Sequence, residues 1–204
     1  MARRIWSPVL ETLALFLFVF AVQGLAYVVG AASLVVGLFV LRPPIEVQPW
    51  TIVTSVYAHG SLGHLVSNSV GLVVFGWPIA RATTRIRFHA FFVVTGALAG
   101  IGQVVVTGSG EAAGVLGASG AVFALMGYLI AGNRLSDGIA GLIRVPTWLT
   151  AVVFLVLAAA ITVATAAPGV ALIAHFTGFL LGLVAGRVGV LNPGSSRKAA
   201  EQTV

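Results

Sequence analysis

Apolar runs of about 20 residues recur along this chain, and nearly every charge falls in the short breaks between them. Only 8% of its 204 residues are charged and 59% are hydrophobic, against roughly 25% charged in a soluble domain. Such a chain must lie in or against a bilayer. With about 20 apolar residues per span, the sequence reads as an all-α polytopic membrane protein with six transmembrane helices.

The first helix is expected over Leu10–Phe39, long enough to tilt, and is ended by Arg42-Pro43-Pro44 because proline disfavours helix at and before itself. A cleaved signal peptide competes with that reading. The apolar run from Val9 to Leu41 exceeds the roughly 7–15 residues of a signal core, so it is taken as a retained span. A loop, Ile45 to His59, carries Trp50 and Tyr57, which suit a membrane interface. Further helices are expected over Ser61–Ala80, Phe88–Val106, Ser119–Gly132, Pro146–Ala166 and Val170–Val188. Between them lie a Gly-rich lead-in (Thr107–Gly114), a polar connection (Asn133–Arg144) and a tight turn (Ala167-Pro168-Gly169). The organisation is thus a cytoplasmic N-terminus (1–9), a six-helix membrane domain (10–190) and a polar C-terminal tail (191–204).

Charge placement tests this layout. The net charge of +6 could suggest nucleic acid in a soluble protein. Here the basic residues mark topology, and no nucleic-acid partner is expected. With both termini cytoplasmic, Arg3, Arg4, Arg81, Arg85, Arg87, Arg134, Arg144, Arg187, Arg197 and Lys198 fall inside and only Arg42 outside. That agrees with the positive-inside bias and places the starts of the second and fourth helices on the outer side. The fourth helix is short: about 14 residues at 1.5 Å each span roughly 21 Å, against about 30 Å of hydrocarbon. Ser119 would then sit about 10 Å below the outer surface, at the floor of a wet cavity, because non-helical backbone at that depth must be buried in protein or line water.

Polar groups inside spans are costly and point to function. The candidates are His59 and His64 about the start of the second helix, Asn68 one turn further on, Ser119 at the start of the fourth, and His175 in the sixth. His64 and Asn68 are i and i+4 and share a face. Ser119 reads either as a helix cap or as a nucleophile beside backbone N–H groups. His175 reads as a buried hydrogen-bonding histidine or as the base for Ser119. His64 and Asn68 could hold helices together or stabilise an oxyanion with the Ser119 N–H. The chain has no cysteine and nothing resembling H-E-x-x-H, so no metal site and no cofactor are expected. Two stripes of small residues, Gly120/Ala124/Gly127 and Gly178/Gly182/Gly186, allow close helix approach. They serve either generic packing or dimerisation, or the docking of the fourth helix on the sixth, which would bring Ser119 to His175.

Three segments together resemble the rhomboid family of intramembrane serine proteases: Pro49–Asn68, with His59, His64 and Asn68 in a His-x4-His-x3-Asn pattern; Gly117-Ala118-Ser119-Gly120 and the helix after it; and Ala174-His175-Phe176-Thr177-Gly178. The resemblance implies a six-helix rhomboid-like bundle in the cell membrane, its active site opening to the extracytoplasmic side. It implies a Ser119 nucleophile and His175 base, with His64, Asn68 and the Ser119 backbone as oxyanion partners. Gly117, Gly120, Phe123 and Gly178 would shape the cavity and its packing, Phe123 against the His175 ring. The substrates implied are other transmembrane proteins, cleaved in or near their spans after lateral entry past the second and fifth helices. A non-proteolytic relative that binds or chaperones membrane helices is the alternative. Two departures bear on substrate positioning: Thr51 stands where many relatives have Arg, and the first loop is short. The resemblance further suggests a minimal six-helix form. Oligomeric state is not legible.

Overall fold

The computed structural model describes residues 7–108, 114–132, 146–166 and 170–192. Pro8–Val28 forms α1, started by Pro8 in its first turn and by the Ser7 hydroxyl, which accepts from the Val9 N–H at 3.3 Å. The single first helix expected over Leu10–Phe39 is in fact two. Gly30 takes φ +74°, and α2 restarts over Ala32–Phe39. A left-handed residue cannot continue a right-handed helix, and apolar content does not register that turn.

The expected loop is built of short turns, Ile45–Val47, α3 (Thr51–Thr54) and Ser55–Tyr57. Two of its side chains complete the end of α2. The Trp50 indole donates to the Gly37 carbonyl at 3.0 Å, and the Thr54 hydroxyl donates to the Leu38 carbonyl. Carbonyls in a last helical turn have no partner within the helix, so the loop docks where acceptors are free. Thr51 is buried, its hydroxyl bonded to the Gln48 carbonyl at 2.6 Å.

The second expected helix is one apolar stretch in three parts. It comprises α4 (Leu62–Gly71), capped by Ser61, a wider π turn (Leu72–Gly76) and α5 (Trp77–Ala82). The wide turn lies where Pro78 cannot donate and its ring would crowd a carbonyl four residues back. There follow α6 (Arg85–Thr107), α7 (Ser119–Ala131), α8 (Thr147–Ala164) and α9 (Leu172–Val188). Three stretches, Pro8–Val28, Leu62–Ala82 and Arg85–Thr107, are long and apolar enough to cross a membrane, and α7, α8 and α9 are shorter apolar helices. The Gly-rich lead-in past Gly108, the polar connection before Pro146, the Ala167–Gly169 turn, the first six residues and the tail after Asn192 lie outside the described residues.

α7 is central and buried over most of its circumference, with Phe123 and Met126 half-buried and Ile130 exposed on the remaining side, as an apolar helix in a bundle should be. On one side Val122 and Leu125 meet a core with Phe16, Leu72, Phe88 and Phe92. On the other, Ala131 joins Ala158, Phe179 and Leu183 from α8 and α9. The closest packing is main chain on main chain. A Cβ on Gly178 would overlap the Gly120 carbonyl, and one on Gly182 the Ala124 carbonyl. Only glycine permits that approach, and it fixes α9 against α7 along its length.

One end of the bundle gathers charge. Glu11 of α1 takes Arg85 at 2.7 Å and the His89 ring at 2.8 Å, and Arg87 donates to the Asn192 carbonyl at 2.7 Å. His89 therefore acts at a structural joint. The start of α1, the starts of α6 and the end of α9 share this end. Arg42 and the entry to α7 share the opposite one, where Leu41 and Val115 exchange two backbone bonds at 3.0 and 2.8 Å.

Candidate active site

The strand-like segment before α7 is held from three sides. Val115 pairs with Leu41, the Gly117 N–H donates to the Ser55 carbonyl at 2.8 Å, and Ala118 is fully buried. Non-helical backbone inside an apolar bundle needs such partners. Gly117 has φ +130°, and a Cβ there would lie 2.7 Å from His64 Nε2. The His64 ring thus rests on the glycine two residues before Ser119.

Ser119 is the first residue of α7. The N-cap is Ala118, which offers no side-chain acceptor, so Ser119 is not the cap of its helix. The first amides of α7 precede any helical bond and are available to negative charge. Ser119 borders a cavity of about 10 Å³ shared with Ser55, Gly100, Gly117 and Ala174, room for about one water.

His175 lies in the first turn of α9 and is 8% exposed. Its imidazole stacks on Phe123, ring centres 4.2 Å apart at 24°. Its Nδ1 lies 3.4 Å from the Thr165 hydroxyl at the end of α8. Gln103 of α6 accepts the Ala174 N–H at 3.1 Å, supplying a cap that α9's own sequence lacks. Because Gly178 abuts Gly120, the two candidate reacting residues sit one turn or less from the same helix contact. Among the described residues, no hydrogen bond joins the Ser119 hydroxyl to the His175 ring.

Asn68 is buried, and its side-chain amide donates to the His64 carbonyl at 3.1 Å. One of its two amide hydrogens is thereby used within α4 and the other is left. His59 is buried with its ring edge against Phe16 and His64, at 4.7 and 5.2 Å between centres. Its main-chain N–H donates to Gln23 of α1 at 3.1 Å, and both of its ring nitrogens are buried. His59 packs against His64 and is absent from the lining of the small cavity that Ser119 borders. Gln23, Gln103 and Thr165 were not among the expected residues, although an amide or hydroxyl in an apolar span carries the same signal as a histidine.

The chain matches the family described as Rhomboid domain over residues 46–192. It belongs to the rhomboid family. A relative, RHOMBOID-like protein 5 of Arabidopsis thaliana, is 30% identical over 149 residues, which cover 72% of this chain and 46% of the relative. The rhomboid match thus spans about half the length of that relative. Family and apolar helices together make this rhomboid chain a membrane protein, and the matched stretch takes in His59, His64, Asn68, Ser119 and His175.

Proposed function

We propose that this rhomboid is an intramembrane serine endopeptidase that cleaves peptide bonds in or near the spans of other membrane proteins. The observation that carries the reading is the glycine contact of α7 with α9, which sets Ser119 and His175 at one helix crossing with Phe123 backing the imidazole. Ser119 Oγ attacks the scissile carbonyl as His175 takes its proton. In this reading the charge that develops on the carbonyl oxygen is met by the free amides at the start of α7, with His64 over Gly117 and the remaining amide hydrogen of Asn68 as the further donors. His175 then returns the proton to the leaving amine, and water hydrolyses the acyl-enzyme. A nucleophile–base bond is commonly long before substrate arrives and shortens in the complex.

The same reading places six spans in the cell membrane, both termini in the cytoplasm and the Ser119 side outward. The gathering of Arg81, Arg85, Arg87 and Arg187 near the end that holds Glu11 supports it. The partners are transmembrane substrates and lipid. In liposomes, a single-span model substrate should be cut by the wild type and left whole by Ser119→Ala and His175→Ala. Intact substrate with folded wild type would favour a protein that binds membrane helices without cutting them, and cleavage surviving Ser119→Ala would refute the nucleophile.

A further inference from the structure

A dyad that lacks an acidic third member leaves a question that the geometry around His175 answers. A neutral imidazole carries one proton, and it can act as base for Ser119 only through the nitrogen that is bare. Which nitrogen that is depends on the bond the other one makes. The His175 Nδ1 faces Thr165 Oγ1 at 3.4 Å. That hydroxyl has a single hydrogen, and its shorter contact, 2.9 Å, is to the Ile161 carbonyl of its own helix, with the Thr162 carbonyl at 3.3 Å. Carbonyls only accept, so the Thr165 hydrogen is spent on the helix and its lone pairs are what remain for the ring. A lone pair calls for Nδ1–H. We propose that Thr165 is a positioning residue which holds His175 in the Nδ1–H tautomer, leaving Nε2 bare to take the Ser119 proton.

The placement strengthens the argument. Phe123 fixes the plane of the ring from one face, but stacking does not choose between the two nitrogens. Gln103 fixes the turn of α9 that carries the ring, through the Ala174 N–H, and likewise does not touch the imidazole. Among the described residues Thr165 is the hydrogen-bond partner of the His175 ring. It comes from α8, whereas the ring itself rides on α9. The bond therefore exists only while the end of α8 lies on the start of α9. In the reaction Nδ1–H stays in place throughout: Nε2 gains the serine proton, the positive ring is stabilised by the Thr165 lone pair, and Nε2 hands the proton to the leaving amine.

This rests on the protease reading, and its test separates the two. Full-length wild type, Thr165→Val and Thr165→Ser are treated in detergent with a fluorophosphonate serine probe, small enough not to depend on substrate entry, and Ser119→Ala serves as the blank. Thr165→Val keeps the shape and removes the lone pairs. It should label about 3- to 10-fold more slowly, the effect of one hydrogen bond, with an unchanged melting temperature, and Thr165→Ser should restore the rate. Equal labelling of Thr165→Val and wild type, or equal slowing by both variants, would overturn the proposal. If wild type itself does not react, the protease reading fails, and ¹⁵N spectra of His175 decide the matter independently. A protonated Nδ1 in wild type that loses its preference in Thr165→Val upholds the role, and a protonated Nε2 in wild type refutes it.

Discussion

Gly117 shows how much one missing side chain can carry. It has φ +130° and the His64 ring occupies the space a methyl would need. Gly117→Ala therefore strains the backbone and pushes His64 off the entry to α7 together. We expect a loss of about 2 kcal/mol in stability and near-complete loss of cleavage, measured by thermal unfolding in detergent and by substrate turnover. Gln103→Leu tests a different contact. It strips the Ala174 N–H of its acceptor inside the bundle, which costs about 1–2 kcal/mol and should lower the melting temperature, with Gln103→Glu, which still accepts, closer to wild type. Ser119, His175, His64 and Asn68 stand out in the sequence because polar side chains among apolar ones are expensive to keep. Gln23, Gln103 and Thr165 obey the same rule but pass unnoticed. Amides and threonines lack the acid–base chemistry that draws the eye, and their partners lie 36, 71 and 10 residues away in the chain.

Helices were legible where composition speaks and illegible where backbone direction does. The ends of α6 and α7 lie within three residues of expectation because caps and glycines mark them. The break at Gly30 was missed, since an apolar run reads alike on both sides of it. The docking of α7 on α9 is the contact on which the candidate site depends. Gly178→Val should drive the two helices apart at the level of Ser119. The cost should be about 3 kcal/mol, and turnover should fall further than stability explains. Gly24 offers a control, since nothing lies within 4 Å of its absent side chain: Gly24→Ala should leave both measurements close to wild type. Loop docking is a third case. Trp50→Phe removes the bond to the Gly37 carbonyl while keeping the ring. A loss of about 1 kcal/mol and faster proteolytic nicking between Ile45 and His59 are the expected results.

Across the molecule, charge divides one end from the other. The absence of cysteine makes a clean test possible. Arg42→Cys and Ile86→Cys, at opposite ends, should react with a membrane-impermeant maleimide from opposite sides of intact cells, Arg42→Cys from outside. Reaction of both from one side would refute the orientation. The bundle also differs in how its parts are joined. α8 presents most of its apolar surface outward and buries Ala158 against α9, whereas α7 and α9 meet through their main chains. Side-chain packing in a core can be retuned by exchanging one shape for another. Main-chain contact cannot, because there is no residue smaller than glycine to exchange. The helices that bear Ser119 and His175 can therefore be pushed apart by substitution, as at Gly178→Val, but not brought closer. Substitution, natural or in the laboratory, can reshape the surroundings of the pair in either direction, but it can move the helices that bear the pair in one direction alone.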